Sequence, residues 1–203
     1  MFFNIFIIYR NNITYLKLIL YLYIIMDSQI KKIDLIANHM CVYQKKHNIT
    51  GRCCDNVTIL YDIIKKSFKT LNPVFQNVIV SFNKNGIGHV CEGHIVIKLD
   101  NGALIDPSYE IAREPDSSYL SNFETFREMV ECNDAIKPLM NNIEKGFNHF
   151  KKITQRMNNG AFGISNDEYY INLIKYLVDI GIITSSKNEL IYLKSLTNID
   201  ATY

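Results

Sequence analysis

A cysteine, a histidine and an aspartate between residues 53 and 106 have the types and the order that thiol-dependent acyl transfer requires. They are Cys53, His94 and Asp106. In such a site a thiolate attacks a carbonyl carbon, an imidazole moves the proton, and a carboxylate orients the imidazole. We therefore predict that these three side chains form a catalytic site, and that the site uses neither a metal nor a cofactor.

Cys53 is predicted to lie at the start of an amphipathic helix. The apolar residues that follow it at helical spacing are Val57, Leu60, Ile63, Ile64 and Phe68. Counting back by helical turns places Cys53 on this buried face and Cys54 on a more polar stripe. The helix dipole favours a thiolate at this end of a helix, so Cys53 is the predicted nucleophile. The backbone N–H groups of Cys53 and Cys54 are candidates for an oxyanion hole.

His94 and Asp106 are predicted on two strands joined by a tight turn around Gly102. A three-residue turn with Gly102 as a left-handed bulge pairs Leu99 with Ala103 and separates a mostly apolar face from the face of His94 and Asp106. That register brings Asp106 within the reach of a diagonal cross-strand neighbour of His94, about 7–8 Å. A two-residue turn would point Asp106 away from His94. We predict the bulged register.

Together these residues resemble the transglutaminase-like branch of the papain-like thiol enzymes. In that family a Gly-x-Cys-x-Asp helix start is followed by a histidine strand and by a strand that ends in Asp-Pro. The matching residues here are Gly51, Cys53, Asp55, His94, Asp106 and Pro107, so the resemblance covers about residues 50–110. It implies a catalytic helix packed on an antiparallel sheet and a thioester intermediate. The implied reaction is hydrolysis, deamidation or transamidation of an amide bond in a peptide or protein substrate.

The sequence departs from this family pattern at several positions. The residue directly after His94 is not aromatic, and the chain contains no tryptophan. The spacing from His94 to Asp106 is short, and Gln44 lies further upstream of the cysteine than the glutamine of papain-type enzymes. A non-catalytic interaction module on the same fold is therefore kept as an alternative.

A zinc-binding protein is the other alternative. Its ligands would come from Cys53, Cys54, His89, Cys91 and His94. Thiolate and imidazole are the usual ligands of zinc, but a second Cys-x-x-Cys or His-x-x-x-His pair is missing. The preferred prediction therefore contains no metal.

Length, charge and cysteine content limit the remaining possibilities. With 203 residues, of which 48% are hydrophobic, the chain can bury one core and an accessory lobe. The net charge of +2 gives no electrostatic basis for nucleic-acid binding. Five cysteines, two of them adjacent, do not form a secretory disulfide pattern, so we predict a reducing, intracellular compartment.

The predicted fold class is α+β, in three parts. Residues 1–25 form an apolar N-terminal extension, in which charged residues interrupt runs too short to span a bilayer. We prefer Met26 as the working start, with a membrane anchor in residues 1–25 as the alternative. Residues 26–117 are predicted to form the transglutaminase-like core.

Residues 118–203 are predicted to be a C-terminal helical extension without a catalytic signature. A capping box at Ser121-Asn122-Phe123-Glu124 begins its first helix. Further helices are predicted over residues 138–157, about 167–179 and about 188–196.

Overall fold

The structure is a computed structural model of the chain. It describes residues 26–84, 87–109, 118–130, 136–163, 168–186 and 189–192. Within these ranges it describes all side chains except those of residues 82–84, 87–89, 91–92, 185–186 and 189–192. The predicted extension over residues 1–25 lies outside them. The chain divides into two compact units, Met1–Leu35 and Ile36–Tyr203. All residues of the candidate site belong to the second unit.

The described residues contain five α-helices. They are α1 (26–47), α2 (Cys53–Ser67), α3 (Phe123–Val130), α4 (Met140–Asn158) and α5 (Glu168–Asp179). A short 3-10 helix, Lys137–Leu139, leads into α4. The predicted amphipathic character of α2 is confirmed, because all five apolar residues of its predicted face are buried.

Four strands form an antiparallel sheet, and two more form a separate hairpin. The strands of the sheet are β1 (Val74–Lys84), β2 (Ile87–Lys98), β3 (Leu104–Ile105) and β4 (Ser118–Leu120), in the order β3-β2-β1-β4. The hairpin pairs β5 (Ile183–Ser186) with β6 (Glu189–Tyr192). Helices beside an antiparallel sheet confirm the predicted α+β class.

Two predictions for residues 118–203 were wrong. The helix predicted over residues 188–196 is not observed there, because Glu189–Tyr192 is strand β6. A short apolar run fits both periodicities, and pairing with β5 decides in favour of a strand. The extension is also not purely helical, since Ser118–Leu120 forms the edge strand β4 of the main sheet. A strand of three residues is too short to show a period in the sequence.

The turn between β2 and β3 has the predicted bulged register. Ile97 lies opposite Ile105, and the Leu99 N–H donates to the Ala103 carbonyl oxygen at 2.9 Å. Gly102 has a φ of 86°, the left-handed conformation that this turn requires and that glycine adopts without strain. The prediction that His94 and the end of β3 share a side of the hairpin rests on this register, which the structure confirms.

The sheet has two faces, because successive side chains of a strand point in opposite directions. The His94 face carries Val78, Val80, His94, Val96 and Tyr119. The Asn77 face carries Phe75, Asn77, Ile79, Ile95 and Ile97. Helices α3 and α4 pack on the Asn77 face through a cluster of Phe123, Phe126, Ile143 and Phe147 around Ile79.

Gly93 lets α4 approach the backbone of β2 next to His94. A Cβ atom at Gly93 would lie 2.3 Å from the Phe150 ring and 3.0 Å from the carbonyl oxygen of Gly146. No side chain fits there unless the ring and the helix shift. The backbone immediately before His94 is therefore held from the opposite side of the sheet.

Candidate active site

The structure brings His94 and Asp106 together. The Nε2 atom of His94 lies 2.8 Å from Oδ2 of Asp106. Only 3% of the His94 side chain and 5% of the Asp106 side chain are exposed. A buried carboxylate at this distance fixes the orientation of an imidazole ring. Since Nε2 faces the carboxylate, Nδ1 is the ring nitrogen left to exchange a proton with a thiol.

Two further donors hold the Asp106 carboxylate in place. The Tyr119 hydroxyl donates to Oδ2 at 3.0 Å, and the backbone N–H of Ser108 donates to Oδ1 at 2.9 Å. Burial, together with the negative charge of Asp106, raises the pKa of Tyr119 above its ordinary value, so the hydroxyl stays protonated as a donor. Tyr119 was not predicted from the sequence. A tyrosine on a three-residue strand gives no signal in the sequence beyond its residue type.

Helix α2 begins at Cys53, as predicted. The guanidinium of Arg52 forms an ion pair with Asp55 at 2.9 Å, and this pair spans the first turn of the helix. Cys53 and Cys54 are both half-buried, and both are reduced. The predicted difference in burial between the two is therefore absent.

The stripe of α2 that carries Cys54 is partly covered by protein, and only Lys65 at its far end is exposed. Thr58, one turn further along this stripe, is 5% exposed and donates to the Cys54 carbonyl oxygen at 2.8 Å. Tyr61, on the same stripe, stacks on Phe75 with ring centroids 4.6 Å apart. The sequence indicated a polar stripe because threonine and tyrosine are amphipathic, and both pack here.

The pKa of Cys54 is lowered to about 7. The main cause is a side-chain hydrogen bond with Cys53, and the nearby His94 lowers the pKa further, while burial and Asp55 oppose the shift. The hydrogen bond with Cys53 therefore favours the thiolate form of Cys54. A thiolate is the nucleophilic form of cysteine.

Gln44 of α1 connects α1, α2 and the segment after β3. Its Nε2 donates to the carbonyl oxygens of Met40 at 3.0 Å and of Pro107 at 2.7 Å. Its Oε1 accepts from Asn56 Nδ2 and from the Tyr109 backbone N–H, both at 3.1 Å. Both amide hydrogens are thus in use, so Gln44 positions the chain beside Asp106 and does not serve as an oxyanion donor.

Asn56 extends this network to α5. Its Nδ2 also lies 3.3 Å from Ser108 Oγ, and its Oδ1 accepts a hydrogen bond from the Tyr169 hydroxyl. The Arg52 guanidinium lies over the Tyr169 ring, 5.3 Å from its centroid. Asn56 is 1% exposed, so its side chain is not accessible for glycosylation in the folded protein. The C-terminal part of the chain therefore supports the first turns of α2.

The zinc alternative receives no support from the described side chains. They contain no group of three or more His, Cys, Asp or Glu residues placed to hold a metal ion. His89 and Cys91, two of its five candidate ligands, lie outside the described side chains. The described residues also contain no helix with the length and apolar content needed to cross a bilayer.

No protein-family model, curated protein or solved structure matched this chain in the comparisons. We therefore infer the function from the geometry of the site. The site contains a buried imidazole–carboxylate pair and a helix that starts with two cysteines. The imidazole is close enough to Cys54 to contribute to the lowering of its pKa.

Proposed function

We propose that this chain is a thiol-dependent hydrolase or acyltransferase that acts on an amide bond of a peptide or protein. The observation that carries the proposal is the buried contact of 2.8 Å between His94 and Asp106, with His94 close enough to Cys54 to lower its pKa. Proton transfer by an oriented imidazole next to a thiol is the requirement of covalent acyl transfer.

The proposed reaction has two steps. The Cys53 thiolate attacks the carbonyl carbon, His94 holds the thiol proton on Nδ1 and delivers it to the leaving amine, and a thioester forms. Water or a second amine then attacks the thioester, and His94 takes its proton while Cys53 leaves as a thiolate. Asp106 stabilises the ring whenever it is charged in either step, as the carboxylate does in related triads.

The finer fold assignment belongs to the same proposal. The chain presents a helix that starts with cysteine, then a histidine on an antiparallel strand, then an aspartate after the neighbouring strand. This order and the antiparallel sheet support a papain-like or transglutaminase-like core. Strand β4, which brings Tyr119 to Asp106, would then belong to that core.

We assign the nucleophile to Cys53 and a supporting role to Cys54. Cys53 occupies the first position of α2, where the helix dipole acts most strongly. The hydrogen bond between the two thiols lets Cys54 hold negative charge or a shared proton beside the nucleophile. The lowered pKa of Cys54 also makes it the competing nucleophile, so the two must be separated by experiment.

Variants in which one cysteine is replaced by alanine test the proposal. Turnover of fluorescein-labelled casein and ammonia release from carbobenzoxy-glutaminyl-glycine are measured for Cys53→Ala, Cys54→Ala and Cys41→Ala. Cys41 is 1% exposed and serves as the cysteine control. We expect Cys53→Ala to abolish turnover with an unchanged circular dichroism spectrum, and His94→Ala to slow it about 100-fold or more. Loss with Cys54→Ala alone would move the nucleophile to Cys54.

One observation favours a non-catalytic interaction module as the second candidate, namely the nearly complete burial of His94 and Asp106. Iodoacetamide labelling at pH 7, resolved by peptide mass spectrometry, separates the two candidates. The enzyme requires fast labelling at the α2 cysteines that slows in His94→Ala and Asp106→Asn. Labelling rates that do not respond to either substitution would contradict the enzyme and favour the module.

A further inference from the structure

A polar pocket lies on the Asn77 face, on the other side of the sheet from His94. Its cavity volume is about 580 Å³, within the range of small-molecule sites, about 300–1,000 Å³. Side chains of β1, α3 and α4 line it, among them Asn77, Asn122, Phe123, Phe147, Asn148 and Lys151. Asn77 and the next residue, Val78, which lies opposite His94, point to opposite faces of the sheet, so the pocket is separate from the candidate active site.

One buried donor in this pocket has no partner among the described residues. Asn77 is 6% exposed, and its Nδ2 forms no hydrogen bond there. Its Oδ1 lies 3.4 Å from the Thr154 hydroxyl, which also donates to the Lys151 carbonyl oxygen at 3.0 Å. Exchanging the amide oxygen and nitrogen would pair the nitrogen with Thr154 and leave the oxygen unpaired instead, so one polar atom of the amide lacks a partner in either orientation. A buried amide without a hydrogen-bond partner beside a cavity indicates a site where a ligand supplies the missing hydrogen bond.

The other polar groups of the pocket are mainly donors. Lys151 forms no ion pair with the described residues, so its ammonium is available to an anion. The Oδ1 of Asn122 already caps α3, accepting from the Glu124 N–H at 2.9 Å, which leaves its NH₂ group for the pocket. Two amide donors and one ammonium favour a ligand with hydrogen-bond acceptors and negative charge.

The two acidic residues of the pocket are held by one arginine. Glu124 and Glu144 both bind Arg127, at 2.9 Å and 3.6 Å, so that the guanidinium neutralises one of their two charges and Lys151 balances the other. The rings of Phe123 and Phe147 line the same cavity and offer an apolar surface. The pocket therefore combines an acceptor-binding side with an apolar wall.

We propose that this pocket binds a small organic carboxylate with an apolar or aromatic group. The carboxylate would accept hydrogen bonds from Asn77 Nδ2 and Asn122 Nδ2 and would pair with Lys151. The apolar group would lie against Phe123 and Phe147. This proposal does not depend on the thiol chemistry of the opposite face.

The test titrates the full chain with N-acetyl-L-phenylalanine, N-acetyl-L-leucine and 3-phenylpropionate, followed by ¹H–¹⁵N spectra that include the Asn77 side-chain NH₂. The matched control ligand is N-acetyl-L-phenylalanine amide, which lacks the charge. We expect at least one carboxylate to shift the Asn77 NH₂ signals and to bind about tenfold more tightly than the amide. If none of the three carboxylates shifts these signals, the proposal is overturned.

Two substitutions separate binding from folding. Asn77→Leu removes the unpaired donor, so we expect the carboxylate to lose binding while the melting temperature of the free protein stays equal or rises. Lys151→Gln should weaken binding about threefold, whereas Lys152→Gln, an exposed neighbour on α4 outside the pocket, should leave it unchanged. A large fall in melting temperature with Asn77→Leu and intact binding would show that the amide serves only the fold and would refute the proposal.

Discussion

The two faces of the sheet bury polar groups in opposite ways. On the His94 face, the Asp106 carboxylate faces His94 and receives hydrogen bonds from the Tyr119 hydroxyl and the Ser108 backbone N–H. On the Asn77 face, the Asn77 Nδ2 group has no partner in the described part of the chain. An unpaired buried donor costs about 1–3 kcal/mol, so the second arrangement is stable only where something else compensates for it.

The difference separates two kinds of site. A paired network fixes the direction of each group before a substrate arrives, which suits proton transfer at short range. An unpaired donor beside a cavity gains its hydrogen bond only when a ligand enters, which suits binding. Substitutions on the His94 face should therefore change mainly protein stability and reaction rate, and substitutions on the Asn77 face should change mainly ligand affinity.

The largest effect is expected from Gln44→Ala, which removes the side chain whose hydrogen bonds join α1, α2 and the segment after β3. The substitution leaves the Tyr109 N–H and Asn56 Nδ2 without their acceptor, and we expect a loss of about 3 kcal/mol in the free energy of unfolding. Urea denaturation measures it. Gln155→Ala on the exposed side of α4 is the control, with an expected change under about 0.5 kcal/mol. Equal losses would show that the network contributes nothing specific.

Gly93→Ala tests whether the Asn77 face holds the backbone beside His94. The added methyl group would overlap the Phe150 ring, and we expect a destabilisation of about 2 kcal/mol. The double variant with Phe150→Leu should recover part of this loss, because the smaller side chain leaves room for the methyl group. If Gly93→Ala is neutral in urea denaturation, α4 does not press on this strand.

The hairpin shows what the sequence could predict. Its register follows from two local rules, the left-handed glycine of the turn and the alternation of apolar residues, and both are visible in the chain from Ile95 to Ile105. The approach of Asp106 to His94 depends only on this register. The helical phase of α2 was equally local, and it correctly identified the buried residues from Val57 to Phe68.

The parts that the sequence did not reveal depend on distant contacts. Tyr119 reaches Asp106 because β4 pairs with β1, and Gln44 reaches Pro107 across 63 positions of the chain. Neither contact leaves a periodic pattern. The strand β6 was predicted as a helix for the same reason, since its pairing with β5 is not contained in its own residues.

The pH dependence of thiol reactivity tests how Cys53 influences Cys54. With the pKa of Cys54 at about 7, alkylation of Cys54 by iodoacetamide should reach half of its maximal rate near pH 7. Cys53→Ala removes the hydrogen bond that lowers this pKa most, so the midpoint should move to higher pH. Peptide mass spectrometry across pH 5–9 measures both; an unchanged midpoint would contradict the role given to Cys53.

The same shift has a defined sign for stability. The folded state lowers the pKa of Cys54, so it binds fewer protons than the unfolded chain between about pH 7 and the ordinary thiol value. Stability should therefore rise with pH across that window and be lost as the pH falls through about 7. In Cys53→Ala this slope should shrink, and urea denaturation at several pH values measures it.

The smallest effect is expected from Tyr119→Phe, which removes one donor from Asp106 and keeps the ring. Asp106 retains His94 and the Ser108 N–H, so we expect a loss of about 1 kcal/mol in the free energy of unfolding. Tyr61→Phe is the matched control, because the Tyr61 hydroxyl forms no hydrogen bond within the described residues while its ring packs on Phe75.

The reaction rate separates positioning by Tyr119 from simple structural support. A hydroxyl that holds the Asp106 carboxylate in line with His94 should lower kcat in Tyr119→Phe and leave KM unchanged, whereas Tyr61→Phe should alter neither. If the two variants agree in both stability and kcat, the Tyr119 hydroxyl does not orient Asp106. The contrast between the two faces would then depend on His94, Ser108 and the Gln44 network alone.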